Sequence, residues 1–214
     1  MGTDPALVLA QWFSPGFPMG AFAYSHGLEW IVAQNELTSP ERLFEWVEAI
    51  LADGTGRNDA IFIGAAFDTV REEQLTALND LCLSFCISAG RLVETREQGA
   101  AFGRTLRGMK QRHLLDYAYP VAVGRAASLC TLPLDMTLRF YLNAFASNLV
   151  AAAVRRAGFR DEDGQKVIYR LHDRIETLSK AAMNLRPDNL FELPIARYEP
   201  AASQNNIYAR MFHD

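Results

Sequence analysis

Apolar residues recur at steps of three and four along most of the chain, and strict apolar–polar alternation is almost absent. That pattern predicts helices and not strands. Pro5 to Phe13 reads as a short first helix, with Asp4 as N-cap and Pro5 at the first helical position. Leu28 to Gln34 reads as a second helix. Ser39-Pro40 is a start signal for a third, whose inner face is Leu43, Val47, Ile50 and Leu51 and which Gly54-Thr55-Gly56 stops. Asp59 is expected to cap a fourth, carrying Ile61, Phe62, Ala65, Ala66 and Val70, and Glu72 to Ala89 supplies a fifth. After Gly90 comes a helix whose inner stripe is Leu92, Gly99, Phe102, Gly103, Leu106 and Met109. Each of those two glycines costs roughly 1 kcal/mol of helix stability relative to alanine, so a closely packed neighbour is expected to compensate. Pro120 opens another helix, which ends at Leu132-Pro133, and Leu138 to Arg156 makes a longer one. Asp161 is expected to cap the last, with Ile168, Leu171, Ile175, Leu178, Ala182 and Leu185 inward.

The pattern therefore predicts an all-α fold, a single helical-bundle-like domain of about eight to nine helices over residues 1–186. Two stretches depart from it. Ser14 to Trp30 packs Pro15, Gly16, Pro18 and Gly20 into seven residues among Phe13, Phe17, Met19 and Phe22, and an apolar loop of this kind needs a cover. From Pro187 onward an irregular, Pro-rich C-terminal tail (187–214) ends in the apolar cluster Ile207, Tyr208, Met211 and Phe212. A tail of that composition is expected either to dock on its own domain or to order on contact with a partner.

Bulk composition narrows the function classes. Half of the 214 residues are hydrophobic and 21% are charged, as in a folded chain with a sizeable core. A net charge of -4 gives no reason to expect nucleic acid or an anionic membrane as partner. The longest apolar runs, Ala60–Phe67 and Leu149–Val154, are far shorter than the ~20 residues that span a bilayer. Three cysteines and an N-terminus without a basic leader point to a cytoplasmic protein.

The search for chemistry is mostly negative. No G-x-x-x-x-G-K-[ST] phosphate loop, no G-x-S-x-G elbow and no H-E-x-x-H pair occurs. Cys82 and Cys86 stand four apart on a helix, but they share a stripe with Leu78 and Phe85, as small buried hydrophobes do. Arg104, Arg107, Lys110 and Arg112 offer a grip for an acidic partner, although runs of this kind are more often a solvated basic face. His26 and Glu29 are three apart and would form an acid–base pair in a helical enzyme, although no nucleophile or metal ligand set accompanies them. The residues alone favour a helical protein-interaction domain; an adaptor with other partners and an enzyme using Glu29 and His26 are the alternatives.

The opening stretch resembles the N-terminal signature of the urease accessory protein UreF family, S-P-x-x-P-x-G-x-[FY]-x-x-S-x-G-L-E, at Ser14, Pro15, Pro18, Gly20, Phe22, Ser25, Gly27, Leu28 and Glu29. The Gly54–Arg57–Asp59 turn, the arginine-bearing helix from Arg96, Asn148-Leu149, Asp163–Gln165 and the closing Tyr208-x-Arg210-Met-Phe212 are similar to the same family. The resemblance implies an all-α homodimer that scaffolds assembly of urease's nickel centre. It would bind a UreD-type (or UreH-type) protein, recruit a UreG-type GTPase and dock on apo-urease, with nickel handled by the complex and no metal site or cofactor in this chain. It also implies that Phe22 and Tyr208–Phe212, with Arg210 as the polar anchor, build the GTPase-binding surface; loop and tail are expected to meet, Phe22 and Tyr24 near Tyr208 and Arg210, in one partner-binding surface of Phe22, Tyr24, Glu29, Tyr208, Arg210 and Phe212. One departure stands out: Gln204 and Asn205 occupy the positions where the family tail usually has His and Glu, which keeps hydrogen-bonding capacity but not charge.

Overall fold

A computed structural model describes residues 3–19, 27–86, 88–109 and 114–190. Among the described residues there are nine α-helices and one short 3-10 turn: α1 (Pro5–Trp12), α2 (Leu28–Ala33), α3 (Pro40–Ala52), α4 (Thr55–Asp68), α5 (Glu72–Ser84), α6 (Ala89–Gly108), α7 (Tyr119–Leu129), α8 (Leu134–Ala157), α9 (Asp161–Ala182) and the turn Pro187–Asn189. The all-α expectation holds. Local chemistry sets many of the boundaries. The Asp4 carboxylate accepts from the Ala6 N–H at 2.9 Å, Ser39 Oγ from Arg42 N–H at 3.2 Å and Ser88 Oγ from Arg91 N–H at 3.1 Å, each satisfying a donor left free at a helix start. Gly27 before α2 and Gly158 after α8 take left-handed backbone (φ 83° and 73°), which glycine adopts without a Cβ penalty.

Several boundaries differ from the sequence pattern: α7 ends at Leu129 and α8 starts at Leu134, before the predicted Leu138, and Val70 lies exposed beyond the end of α4. Asp59 does not cap α4; that helix begins at Thr55 after Gly54, and Asp59 lies inside it with its carboxylate buried. The predicted helix from Glu72 to Ala89 is two, because α5 closes at Phe85 and Ser88 caps a new start. Asp161 is the first residue of α9 and not its cap; it joins Glu162 and Asp163 in an acidic first turn, which suits the positive end of the helix dipole.

α4 is the axis of the bundle. Every residue from Ala60 to Ala66 is buried, and α3, α5, α7, α8 and α9 all pack on it. α7 comes so close that a Cβ at Gly124 would lie 2.2 Å from the Ile63 carbonyl oxygen. The predicted close neighbour of α6 is also present. A Cβ at Gly99 would lie 1.9 Å from the Tyr117 carbonyl oxygen, in the segment that leads into α7. α9 is the most amphipathic element, burying Val167, Leu171, Ile175 and Ala182 and leaving Tyr169 exposed. α1 lies over α6, with the Trp12 and Phe102 rings edge to face at 5.3 Å. Among the described residues no helix is long and apolar enough to cross a membrane.

Candidate functional site

The first half of the opening stretch is covered by its own domain. Ser14 Oγ donates to the Gln11 carbonyl at 3.0 Å, and the Phe17 N–H donates to the Ser14 carbonyl at 3.0 Å, folding a tight turn around Pro15 and Gly16. Pro15 and Pro18 face outward, while Phe17 turns in against Phe102 (5.6 Å between rings) and Phe13 meets Tyr141 (6.0 Å). On the far side of the stretch Gly27 makes the left-handed entry, Leu28 is fully buried, and Glu29 reaches Arg156 at the end of α8 (3.0 Å). Gly20, Phe22, Tyr24, Ser25 and His26 lie outside the described residues, as do Tyr208, Arg210 and Phe212, so the expected meeting of loop and tail falls there too. Glu29, expected to pair with His26, has Arg156 as an ion-pair partner.

The root of the tail is fastened to α4. Arg57 Nη1 donates to the Asn189 carbonyl at 2.7 Å. Arg186 donates through its guanidinium to the Met183 and Leu185 carbonyls, while its backbone N–H donates to Asn189 Oδ1 at 2.9 Å. Leu190 packs half-buried on the core. Burial lowers the Arg57 guanidinium somewhat, against the raising pull of Asp53.

Between these two fastenings lies a buried polar cluster that periodicity did not single out. Arg91, on the first turn of α6, donates to Asp59 Oδ2 of α4 at 2.6 Å and to Glu94 Oε2 at 2.7 Å. The Tyr141 hydroxyl of α8 donates to the same Asp59 oxygen at 2.6 Å, and Gln98 donates to Glu94 at 3.1 Å. Three helices are thus tied through one carboxylate. Burial pushes the Asp59 carboxyl up, with Arg91 and the Tyr141 hydroxyl pulling the other way. The two neighbouring carboxylates outweigh burial at Arg91, holding its guanidinium well above its usual range. Burial first, and then the Asp59 charge, push the Tyr119 and Tyr141 phenols up, so both stay protonated donors. A cluster of this kind is costly to assemble and costlier to break, because removing one partner leaves a buried charge uncompensated.

Cys82 is buried and Cys86 half-buried, both thiols are pushed up chiefly by burial, and neither is prepared to act as a nucleophile. Among the described residues no group of three or more His, Cys, Asp or Glu is arranged to hold a metal ion. The basic run is not a uniform solvated face. Arg107 turns in, donating to the Leu114 carbonyl at 2.7 Å and to Asp116 at 2.8 Å, while Arg104 is exposed. The α6 stripe likewise differs at its ends: Met109 is exposed, and Arg91 and Thr95 continue the buried face in place of Leu92. Their four-residue steps to Gly99 were the available signal.

The family model for UreF matches residues 37–172, a span that contains Asp59, Arg91, Glu94 and Tyr141. The chain belongs to the UreF family. Its similarity to proteins called urease accessory protein UreF runs through nearly the whole length. A Ruegeria pomeroyi protein is 39% identical over 206 residues, covering 96% of this chain and 95% of its own. One from Cereibacter sphaeroides is 41% identical over 208 residues (97% and 93%), and one from a Jannaschia species 32% identical over 210 (98% and 94%). In this UreF family member the Gly54–Arg57–Asp59 turn carries two separate jobs: Arg57 holds the tail's root, and Asp59 gathers α6 and α8 onto α4.

Proposed function

We propose that this chain is a non-catalytic scaffold for urease maturation, working in the cytoplasm as a homodimer. It bridges a UreD-type or UreH-type protein and a UreG-type GTPase on apo-urease, and so promotes GTP-dependent insertion of nickel, the cargo of the complex. The observation that carries this reading is the family membership, with relatives named urease accessory protein UreF aligned over nearly the full length of both chains. The arrangement of the two unusual segments supports it. Each is tied to the domain at a defined point, the opening stretch through Phe13 and Phe17, the tail through Arg57 and Asn189. Phe22, Tyr24 and Glu29 on one side and Tyr208, Arg210 and Phe212 on the other make up the proposed partner surface. Aromatic residues and an arginine are the residue types that dominate binding energy at such surfaces.

Co-expression with the UreD-type protein and the UreG-type GTPase, followed by affinity capture, tests the proposal. A stable ternary complex is expected, and Arg210→Ala is expected to keep the fold and its melting temperature while weakening recruitment of the GTPase at least tenfold. Absence of a complex at micromolar concentrations would sink the scaffold role; unchanged recruitment by Arg210→Ala would remove the tail from it.

A further inference from the structure

A small, partly open cavity of about 20 Å³ lies at the first turn of α4, beside the Asp59–Arg91 pair and the end of α5. Thr55 opens onto it. Its side chain is buried, and the Thr55 Oγ1 atom has no hydrogen-bond partner among the described residues. Asp59, one turn further along α4, and Asn58, Arg91, Thr95 and Cys86 add polar groups to the lining, beside Phe62, Cys82 and Phe85. Both hydrogen bonds to Asp59, from Arg91 and from Tyr141, fall on Oδ2 and leave Oδ1 uncommitted by either. The Cys86 sulfur lies 3.7 Å from both Thr95 Oγ1 and the Cys82 carbonyl, and its one thiol proton serves a single acceptor at a time.

We infer that this cavity is a binding site for one water molecule, held by the Thr55 hydroxyl and by the polar groups of the Asp59–Arg91 cluster. Size and chemistry agree on the ligand. The volume exceeds the roughly 10–15 Å³ of probe space that a buried water needs, and it is too small for a chain of several. The walls carry both signs of charge. An anion such as chloride would meet the Asp59 carboxylate, and a cation would meet the Arg91 guanidinium. Water donates and accepts, so it suits a lining that carries both a carboxylate and a guanidinium, and it also completes Thr55. An apolar cavity of this size would stay dry; a buried hydroxyl and a carboxylate oxygen in one wall make the opposite case. The site is independent of any partner and stands on the fold alone.

Crystals of the full chain, grown with sodium bromide in place of chloride, provide the direct test. The expected result is a single water peak within roughly 3.2 Å of Thr55 Oγ1 and of a second polar atom of the cluster, with no anomalous signal. An anomalous bromide peak there would overturn the inference, and so would a cavity without density. Magnetic relaxation dispersion of water oxygen-17 supplies a solution count. Thr55→Val, which keeps the shape and removes the hydroxyl, should lose one long-lived internal water, and Thr55→Ser should retain it. Equal counts for the wild type and a folded Thr55→Val would refute the role given to the hydroxyl, and the crystal decides alone if that variant does not fold.

Discussion

Arg91 and Arg160 stand in the same local setting and do different things. Each lies at the start of a helix and pairs with a carboxylate three residues on, Arg91 with Glu94 at 2.7 Å and Arg160 with Asp163 at 2.9 Å. The Arg91 side chain is 6% exposed and the Arg160 side chain 70%. The first pair also binds Asp59 across to α4 and lies in the core; the second sits at the head of α9 with its arginine in water and its carboxylate partly covered. An exposed ion pair gains little over its hydrated parts, whereas a buried one has already given up its water and depends on its partners. What an i, i+3 ion pair does is decided by what packs over it.

The comparison can be broken most directly at the arginines. Arg91→Ala is expected to lower stability by about 3–5 kcal/mol, because Asp59 and Glu94 are left facing each other without a counter-charge. Arg160→Ala should leave the urea midpoint unchanged within error. Equal losses in chemical denaturation would show that burial does not separate the two pairs.

A second contrast uses glycines on the same two helices. At Gly99 the wall is backbone, with the Tyr117 carbonyl 1.9 Å from a Cβ, and Gly99→Ala is expected to cost about 1–3 kcal/mol by forcing α6 off its neighbour. At Gly164 the nearest atoms are side-chain carbons, Val154 Cγ2 at 2.7 Å and Val150 Cγ1 at 3.3 Å. Those atoms can give way, and the gain in helix propensity of roughly 1 kcal/mol offsets their displacement, so Gly164→Ala should be near neutral. Thermal melts of the two variants check the difference, which vanishes if both walls yield equally.

The smallest effect is in pH. Burial raises the Asp59 carboxyl, while the hydrogen bond from Arg160 is the main cause that lowers Asp163. Asp59 binds its proton more tightly folded than unfolded, so its contribution is present below the unfolded carboxyl range near ~4 and is lost as pH rises through the raised value. Asp163 has the opposite sign: its contribution is present above that range and is lost as pH falls through the lowered value. The melting-temperature deficit of Asp59→Asn relative to the wild type should therefore shrink as pH rises from about 4, and that of Asp163→Asn should shrink as pH falls below it. Deficits that move in the same direction would contradict the opposite placement of the two carboxylates.

Much of the fold was legible in the sequence because helices announce themselves locally. Asp4, Ser39 and the left-handed glycine ahead of Leu28 are short-range signals, and the stripe of α9 is readable over five turns. Gly99 was legible too, since a glycine on an inner face weakens its helix unless a close neighbour makes up the loss. The polar cluster was not. Asp59 follows Gly54-Thr55-Gly56, which reads as a break, and a carboxylate after a break reads as a cap. Only the third dimension brings Arg91 and Tyr141 to it from 32 and 82 residues away. The end of α5 is hidden in the sequence for a related reason: Phe85 and Ala89 keep the apolar phase across a gap where the backbone starts again. The proposed partner residues Phe22, Tyr24, Tyr208, Arg210 and Phe212 rest on the resemblance, and the described residues locate only the points from which their segments depart.

One of those points has a geometric consequence. The segment after α9 runs from the Asp68 end of α4, where Arg186 lies 3.7 Å from that carboxylate, to Arg57 at the other end. The two ends of this crossing are held differently, one by the Arg57 guanidinium on the Asn189 carbonyl together with Leu190 on the core, the other by the Arg186 guanidinium, which also donates to two carbonyls at the foot of α9. On a helix rising 1.5 Å per residue, Arg57 and Asp68 lie about 16 Å apart along α4, and the two arginine side chains make up what the short turn Pro187–Asn189 does not span. Leu190 is therefore placed by both ends of α4 at once, with the turn strapped lengthwise along that helix.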